Sequence, residues 1–224
     1  MVVFLLGTHV DVLAGAPDAL YLAEAASPFL EKAFRDYRLP GNIDVVFKKM
    51  RFSSSWFTGL VDFGYTEVEV FLDVKADFYV ASFSENLSVK KRFWRNFSSR
   101  GDFFVSNSFN EFMNSVVEEI VHLLDEVWKR YLQKHGENVL VERVSRDGEG
   151  VILVEMRSFE PRVSKGRFYF FYSLGESLRD WRALGVYVRE VEGNDILCEL
   201  SEQSDLEAVS SLLGVRGYLI AGGV

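Results

Sequence analysis

Apolar and polar residues recur along the chain with two different periods, and the switches between them mark its predicted elements. Over residues 66–75, Val68, Val70, Leu72 and Val74 alternate with Glu67, Glu69, Phe71, Asp73 and Lys75, which predicts a strand with one buried and one charged face. Over residues 108–132 the period lengthens. Phe109, Phe112, Met113, Val116, Val117, Ile120, Leu123, Leu124, Val127, Trp128 and Tyr131 follow the 3.6-residue repeat and predict a long amphipathic helix, which Lys134, His135 and Gly136 close. Upstream, the pattern predicts a short buried strand over residues 1–6 and a helix from Pro17 that restarts at Ser27-Pro28. Strands follow near 43–52, 56–63, 66–75 and 78–83, with Ser53-Ser54-Ser55 and Gly64 as breaks. Val89, Phe93 and Phe97 recur four apart and predict a basic helix over 86–97, followed by a short strand over 102–106.

Beyond Gly136 the chain reads as β-rich. Strands are predicted over 139–144 and 151–156, joined by the hairpin signal Arg146-Asp147-Gly148-Glu149-Gly150. A strand over 167–174, a short helix over 177–184, strands over 186–191 and 196–200, a helix over 204–213 capped by Ser204, and a strand over 217–220 complete the order. From the strand at 167 onward this is βαββαβ, the order of the ferredoxin-like fold. The expectation is therefore an α+β protein of two domains. Residues 1–136 form an N-terminal mixed sheet with a long C-terminal helix, and residues 137–224 a β-rich domain with the ferredoxin-like unit.

Composition narrows the class. The 224 residues include 33 aromatics (20 Phe, 9 Tyr and 4 Trp), far more buriable surface than a disordered chain carries. The formal net charge of -8 argues against a uniformly basic nucleic-acid coat. One cysteine cannot form an internal disulfide, so a reducing, cytoplasmic setting is expected. The apolar start lacks a basic leader and is interrupted by His9 and Asp11, and no run of about 18 apolar residues occurs, so neither a secretory signal nor a membrane span is expected.

Candidate chemistry centres on Asp62, then Asp73 and Lys75, two apart on one strand and so on one face. Two carboxylates and a lysine brought together across a hairpin could hold a divalent cation while the ammonium orients the attacking water. The spacing resembles the core of the PD-(D/E)xK nuclease superfamily over residues 17–135. That resemblance implies catalytic roles for Asp62, Asp73 and Lys75, metal binding by Asp62 and Asp73, Mg²⁺ or Mn²⁺ as cofactor, and a metal-dependent nuclease if the domain is active. Val61 stands where that superfamily often has proline, and the segment 78–83 intervenes after Lys75. The same residues also fit the solvated, cross-paired face of an amphipathic strand.

A second candidate is the run Lys90, Lys91, Arg92, Trp94, Arg95 and Arg100, five cations with no acid among them. It could contact phosphates of DNA or RNA while Trp94 stacks on a base, or form the solvated side of a helix. The aromatic strand from Arg167 to Tyr172 lacks the second aromatic platform of RNA-recognition modules and reads as core or as a partner-binding face. Glu118, His122 and Asp125 share one polar helix stripe, and Cys198 reads as a small core residue. No phosphate-loop, dinucleotide or nucleophile-elbow motif is present. The leading expectation is a nucleic-acid-associated protein with a nuclease-like domain, active or degenerate. A non-enzymatic subunit binding a protein partner or a second copy, and a small-ligand binder with a pocket between the long helix and the sheet of 43–83, stand beside it.

Overall fold

The computed structural model describes residues 9–15, 19–35, 41–58, 63–78, 80–176, 178–200 and 209–222. The N-terminal half builds a four-stranded sheet in the order β1-β2-β3-β4, from β1 (His9–Ala14), β2 (Gly41–Phe57), β3 (Phe63–Phe78) and β4 (Ala81–Phe93). β1 runs parallel to β2 across α1 (Leu20–Phe34), and the rest is an antiparallel meander. A short α2 (Arg100–Phe104) leads into α3 (Asn107–His135). The C-terminal half is a closed barrel of six antiparallel strands in the order β10-β5-β6-β9-β8-β7. They are β5 (Glu137–Arg146), β6 (Ile152–Arg157), β7 (Gly166–Ser173), β8 (Trp181–Glu192), β9 (Asp195–Leu200) and β10 (Arg216–Ala221). β7, β8 and β9 form a meander, and β10 returns beside β7, a Greek-key connection that closes the barrel.

The α+β class with a ferredoxin-like unit is therefore corrected. The described residues are mostly β, 51% strand against 29% helix, the long helix lies in mid-chain, and the last described element is a strand. The helix expected over 177–184 is a 3-10 turn at Leu178–Asp180 that opens into β8, whose Trp181 and Ala183 pack into the first core while Val186 and Val188 face the barrel interior. Of the helix expected over 204–213, the opening residues lie outside the described ones, Val209 and Ser210 are helical, and a turn follows to Gly214. A closed barrel in this strand order, rather than an open sheet with two helices on one face, replaces the ferredoxin-like layer. The strands instead curl around Val141, Val154, Phe170, Val188, Ile196 and Cys198.

Four local expectations change for identifiable reasons. The segment 86–97 is mostly strand, because spacing of four is also a multiple of two: Leu87, Val89 and Phe93 share a face in β4 as readily as on a helix. The strand expected over 102–106 is α2, capped by Ser99, whose hydroxyl accepts from the Asp102 amide at 3.1 Å. The serine run at 53–55 is not a break but belongs to β2, where the Ser54 hydroxyl lies 3.0 Å from that of buried Thr66 and donates to the Phe97 carbonyl. The segment 78–83 is not a strand of its own: Phe78 ends β3 and Ala81 to Phe83 open β4. The strand expected over 1–6 lies outside the described residues. In the first helix, Ala19 rather than Ser27 stands at the N-terminus, and Pro28 sits inside.

One face of the first sheet is dry. Ile43, Val45, Phe47, Val68, Val70, Leu72, Val74 and Ala76 meet Leu22, Ala26 and Leu30 of α1 and Phe112, Met113, Val116 and Ile120 of α3. These side chains fill the space between α3 and the sheet where a ligand pocket was expected. Phe103 of α2 is fully buried among the rings of Phe52, Phe93, Phe97, Phe109 and Phe112. Trp128 of α3 joins the two halves: its ring contacts Phe78 and Phe83 of the first sheet and Phe171 and Trp181 of the barrel. Lys129 adds a polar tie, bonding Asp125 at 2.6 Å and the Glu176 carbonyl at 3.0 Å.

Candidate functional site

The opposite face of the first sheet carries no described helix and presents the charged residues of β3. Asp73 lies on it, and a register shift between Phe47 and Lys49 inserts Lys48 into β2 as a bulge. The bulge turns the Lys48 ammonium onto Asp73, 2.6 Å away. Lys75 stands two residues further on the same face, exposed, opposite Asp44 on β2 and Ser84 on β4. Asp62 lies outside the described residues. Asp73 and Lys75 thus share a face, as their spacing predicts, and Asp73 meets an ammonium. Of the two carboxylates expected to bind metal only Asp73 is among the described residues, and no group of three metal-ligating side chains occurs among them.

The rest of the face repeats this pairing. Arg51 bonds Glu69 at 3.2 Å and covers the Phe71 ring at 4.7 Å, and the Ser88 hydroxyl donates to Glu69. Glu67 takes both Lys90 at 2.7 Å and Arg92 at 3.2 Å. The Lys90 hydrogen bond, together with that of Arg92, holds the Glu67 carboxyl below its ordinary value of 4.5. The central face is a lattice of cross-strand ion pairs, a self-neutralising surface.

The basic run divides because it lies largely on a strand. Lys90 and Arg92 reach the open face and share Glu67. Lys91 points to the other side, where its ammonium donates to the Glu111 carbonyl and the Ser115 hydroxyl of α3. Arg95 lies over Phe97 at 5.3 Å, and Arg100 begins α2. The cations expected on one surface are thus split between two faces and a following loop.

At the far end of the open face the structure gathers a group that the sequence did not single out beyond Trp94. Phe57 at the end of β2 stacks on Tyr65 of β3, centroids 5.9 Å apart, and Tyr65 meets the Trp94 ring edge-on at 6.0 Å. The Arg92 guanidinium lies 4.6 Å from the Tyr65 ring and 6.0 Å from that of Trp94, while its other side is held by Glu67. Trp94 is 73% exposed, Trp56 56% and Phe57 45%. Trp56 lies on the reverse side across Gly64, where a Cβ would stand 2.6 Å from its ring. The sequence signal for this group was weak: aromatic residues on both sides of the short segment 58–64, which reads as ordinary strand material.

Two further features lie on the barrel. A cleft of about 850 Å³ opens where the end of α3 meets β5, β10 and the segment 157–164. It is lined by charges of both signs, among them Lys134, Glu137, Arg162 and Arg216. Glu137 is already engaged, accepting from the Ser158 hydroxyl and from the Arg162 amide at 3.1 Å. Cys198 is fully buried inside the barrel, and burial pushes its thiol up to about 12. Its lack of nucleophilic character has a direct readout: the folded protein at about pH 8 should give no reaction with a thiol reagent, and denaturation should release one thiol. Stoichiometric labelling of the native chain within minutes would contradict this placement. No described helix is long and apolar enough to cross a membrane. Compared with known proteins, the chain matches no family model and no curated protein.

Proposed function

We propose that the protein is a non-enzymatic interaction subunit whose protein partner docks on the aromatic and cationic end of the first sheet. The observation that carries this reading is the group of exposed Phe57 and Trp94 with half-buried Tyr65 between them and Arg92 held between rings and Glu67. Trp, Tyr and Arg are the side chains that most often dominate protein interfaces, because they bury large area at small entropic cost while keeping a polar edge. Here that cost is reduced further, since cross-strand stacking and the Glu67 pair already hold the rings and the guanidinium. Arg95 and Arg100 follow directly, exposed and without an acidic ion-pair partner among the described residues. The matching partner is a segment with an aromatic or large apolar side chain flanked by carboxylates. The division of the basic run favours this over nucleic acid, because Lys90 and Arg92 are compensated by Glu67 and Lys91 faces α3.

Selection of a random peptide display library on the whole protein, with counter-selection on Trp94→Ala, tests the reading. Enriched peptides should pair acidic with aromatic residues, and Trp94→Ala should weaken their binding at least about tenfold with unchanged thermal unfolding. In parallel, single-stranded oligonucleotides are titrated at low salt. Binding that falls steeply with salt and is lost in Trp94→Ala would replace the protein partner by nucleic acid. Absence of any Trp94-dependent ligand in both arms would overturn the reading.

A further inference from the structure

We infer that the free edge of β4 pairs with the same edge of a second copy of this chain, antiparallel and centred on Ser88, joining the two four-stranded sheets into one. This goes beyond the partner surface above and stands without it. β4 is an outer strand: it bonds β3 along its whole length, and no backbone hydrogen bond joins its other side to any described residue. Edges are blunted by shortness, proline, a bulge or charged side chains, and the charges of β4, Glu85, Lys90, Lys91 and Arg92, are the one such device it carries. This one has thirteen residues, no proline, and no shift in its register with β3.

Charge and apolar complementarity single out both the occupant and the register. In an antiparallel self-pair, opposite residues share a face, so a two-fold axis through a residue of β4 keeps the helices of both copies on one side. With the axis at Ser88, the helix-side pairs are Leu87 with Val89, Glu85 with Lys91, and Phe83 with Phe93. Apolar meets apolar and acid meets base, each pair occurring twice. On the open face Ser88 meets itself, Asn86 meets Lys90, and Ser84 meets Arg92, with no like charges opposed. Moving the axis to Leu87 sets Phe83 against Lys91 and Glu85 against Val89. Moving it to Val89 sets Leu87 against Lys91 and Glu85 against Phe93. The three consecutive cations at one end of the strand also lie away from their own copies in an antiparallel pair, whereas a parallel pair would bring them together.

Sedimentation of the full chain over about 1–100 µM should show a dimer, and Glu85→Lys should raise its dissociation constant about tenfold or more, because two attractive pairs become repulsive. Adding Lys91→Glu to that variant should restore dimerisation, since the pair is then reversed rather than broken. As a measurement independent of those charges, Ser88→Cys under mild oxidation should give a covalent dimer across the axis, while Ser84→Cys, facing Arg92, should not; buried Cys198 leaves the background silent. A wild-type monomer throughout this range, failure of the double variant to recover, or cross-linking of Ser84→Cys equal to that of Ser88→Cys would each overturn the inference.

Discussion

Replacing Trp128 with alanine should lower the unfolding free energy by about 3–5 kcal/mol and the melting temperature by about 10 °C. The indole is fully buried and is shared by the two halves: Phe78 and Phe83 lie on one side, Phe171 and Trp181 on the other, and Tyr131 stacks along it at 5.9 Å. Alanine would leave a void lined by rings from several different elements. Such rings cannot collapse into it without moving β3, β7 or β8, so both the lost transfer energy and the cavity term apply in full. Trp128→Phe provides the contrast. The indole N–H has no hydrogen-bond partner among the described residues, so phenylalanine removes ring area and an unpaired buried donor together. Its cost should be about 1 kcal/mol. Urea denaturation followed by circular dichroism measures both. A loss under about 1 kcal/mol for alanine would mean that the two halves do not depend on this ring.

The elements most legible in the sequence were those whose pattern has one explanation. The long helix carries its 3.6-residue repeat through Phe109, Phe112, Val116, Ile120 and Leu124, and no strand can bury that set together. The alternation at Val68, Val70, Leu72 and Val74 was equally unambiguous. Failure came where two periods coincide, as at Val89 and Phe93, and where partners come from far along the chain. Nothing local to Arg216–Ala221 indicates that it lies between β5 and β7, yet this placement makes a barrel of what reads as a ferredoxin-like order. The candidate site divides in the same way. That Asp73 and Lys75 share a face follows from their spacing. That Asp73 is answered by Lys48 follows from a one-residue bulge, which leaves no mark in composition or period. The group of Phe57, Tyr65 and Trp94 is drawn from β2, β3 and the residue after β4, so it exists only once the register of those strands is set.

The closure of that barrel supplies the second large effect: Gly217→Ala should cost about 3 kcal/mol. Gly217 lies in β10 opposite Val139 of β5 and Tyr172 of β7, at the strand that joins the two ends of the barrel. A Cβ there would stand 2.4 Å from the Phe171 carbonyl oxygen and 2.5 Å from the Phe170 ring. The first of these is backbone and belongs to the neighbouring strand, so it cannot move aside without loosening the ladder between β10 and β7. The second is a ring with no exposed surface that stacks on Tyr172 at 5.4 Å within the barrel. A single methyl group must therefore either force the strands apart or push Phe170 against a filled core, and overpacking of this kind sits at the upper end of the usual range. Gly148→Ala is the matched control: it lies in the β5–β6 turn with nothing within 4 Å of an added Cβ, and its stability should stay within about 0.5 kcal/mol of the wild type. Equal effects at the two glycines in urea denaturation would show that β10 is not held between β5 and β7 as closely as this packing requires.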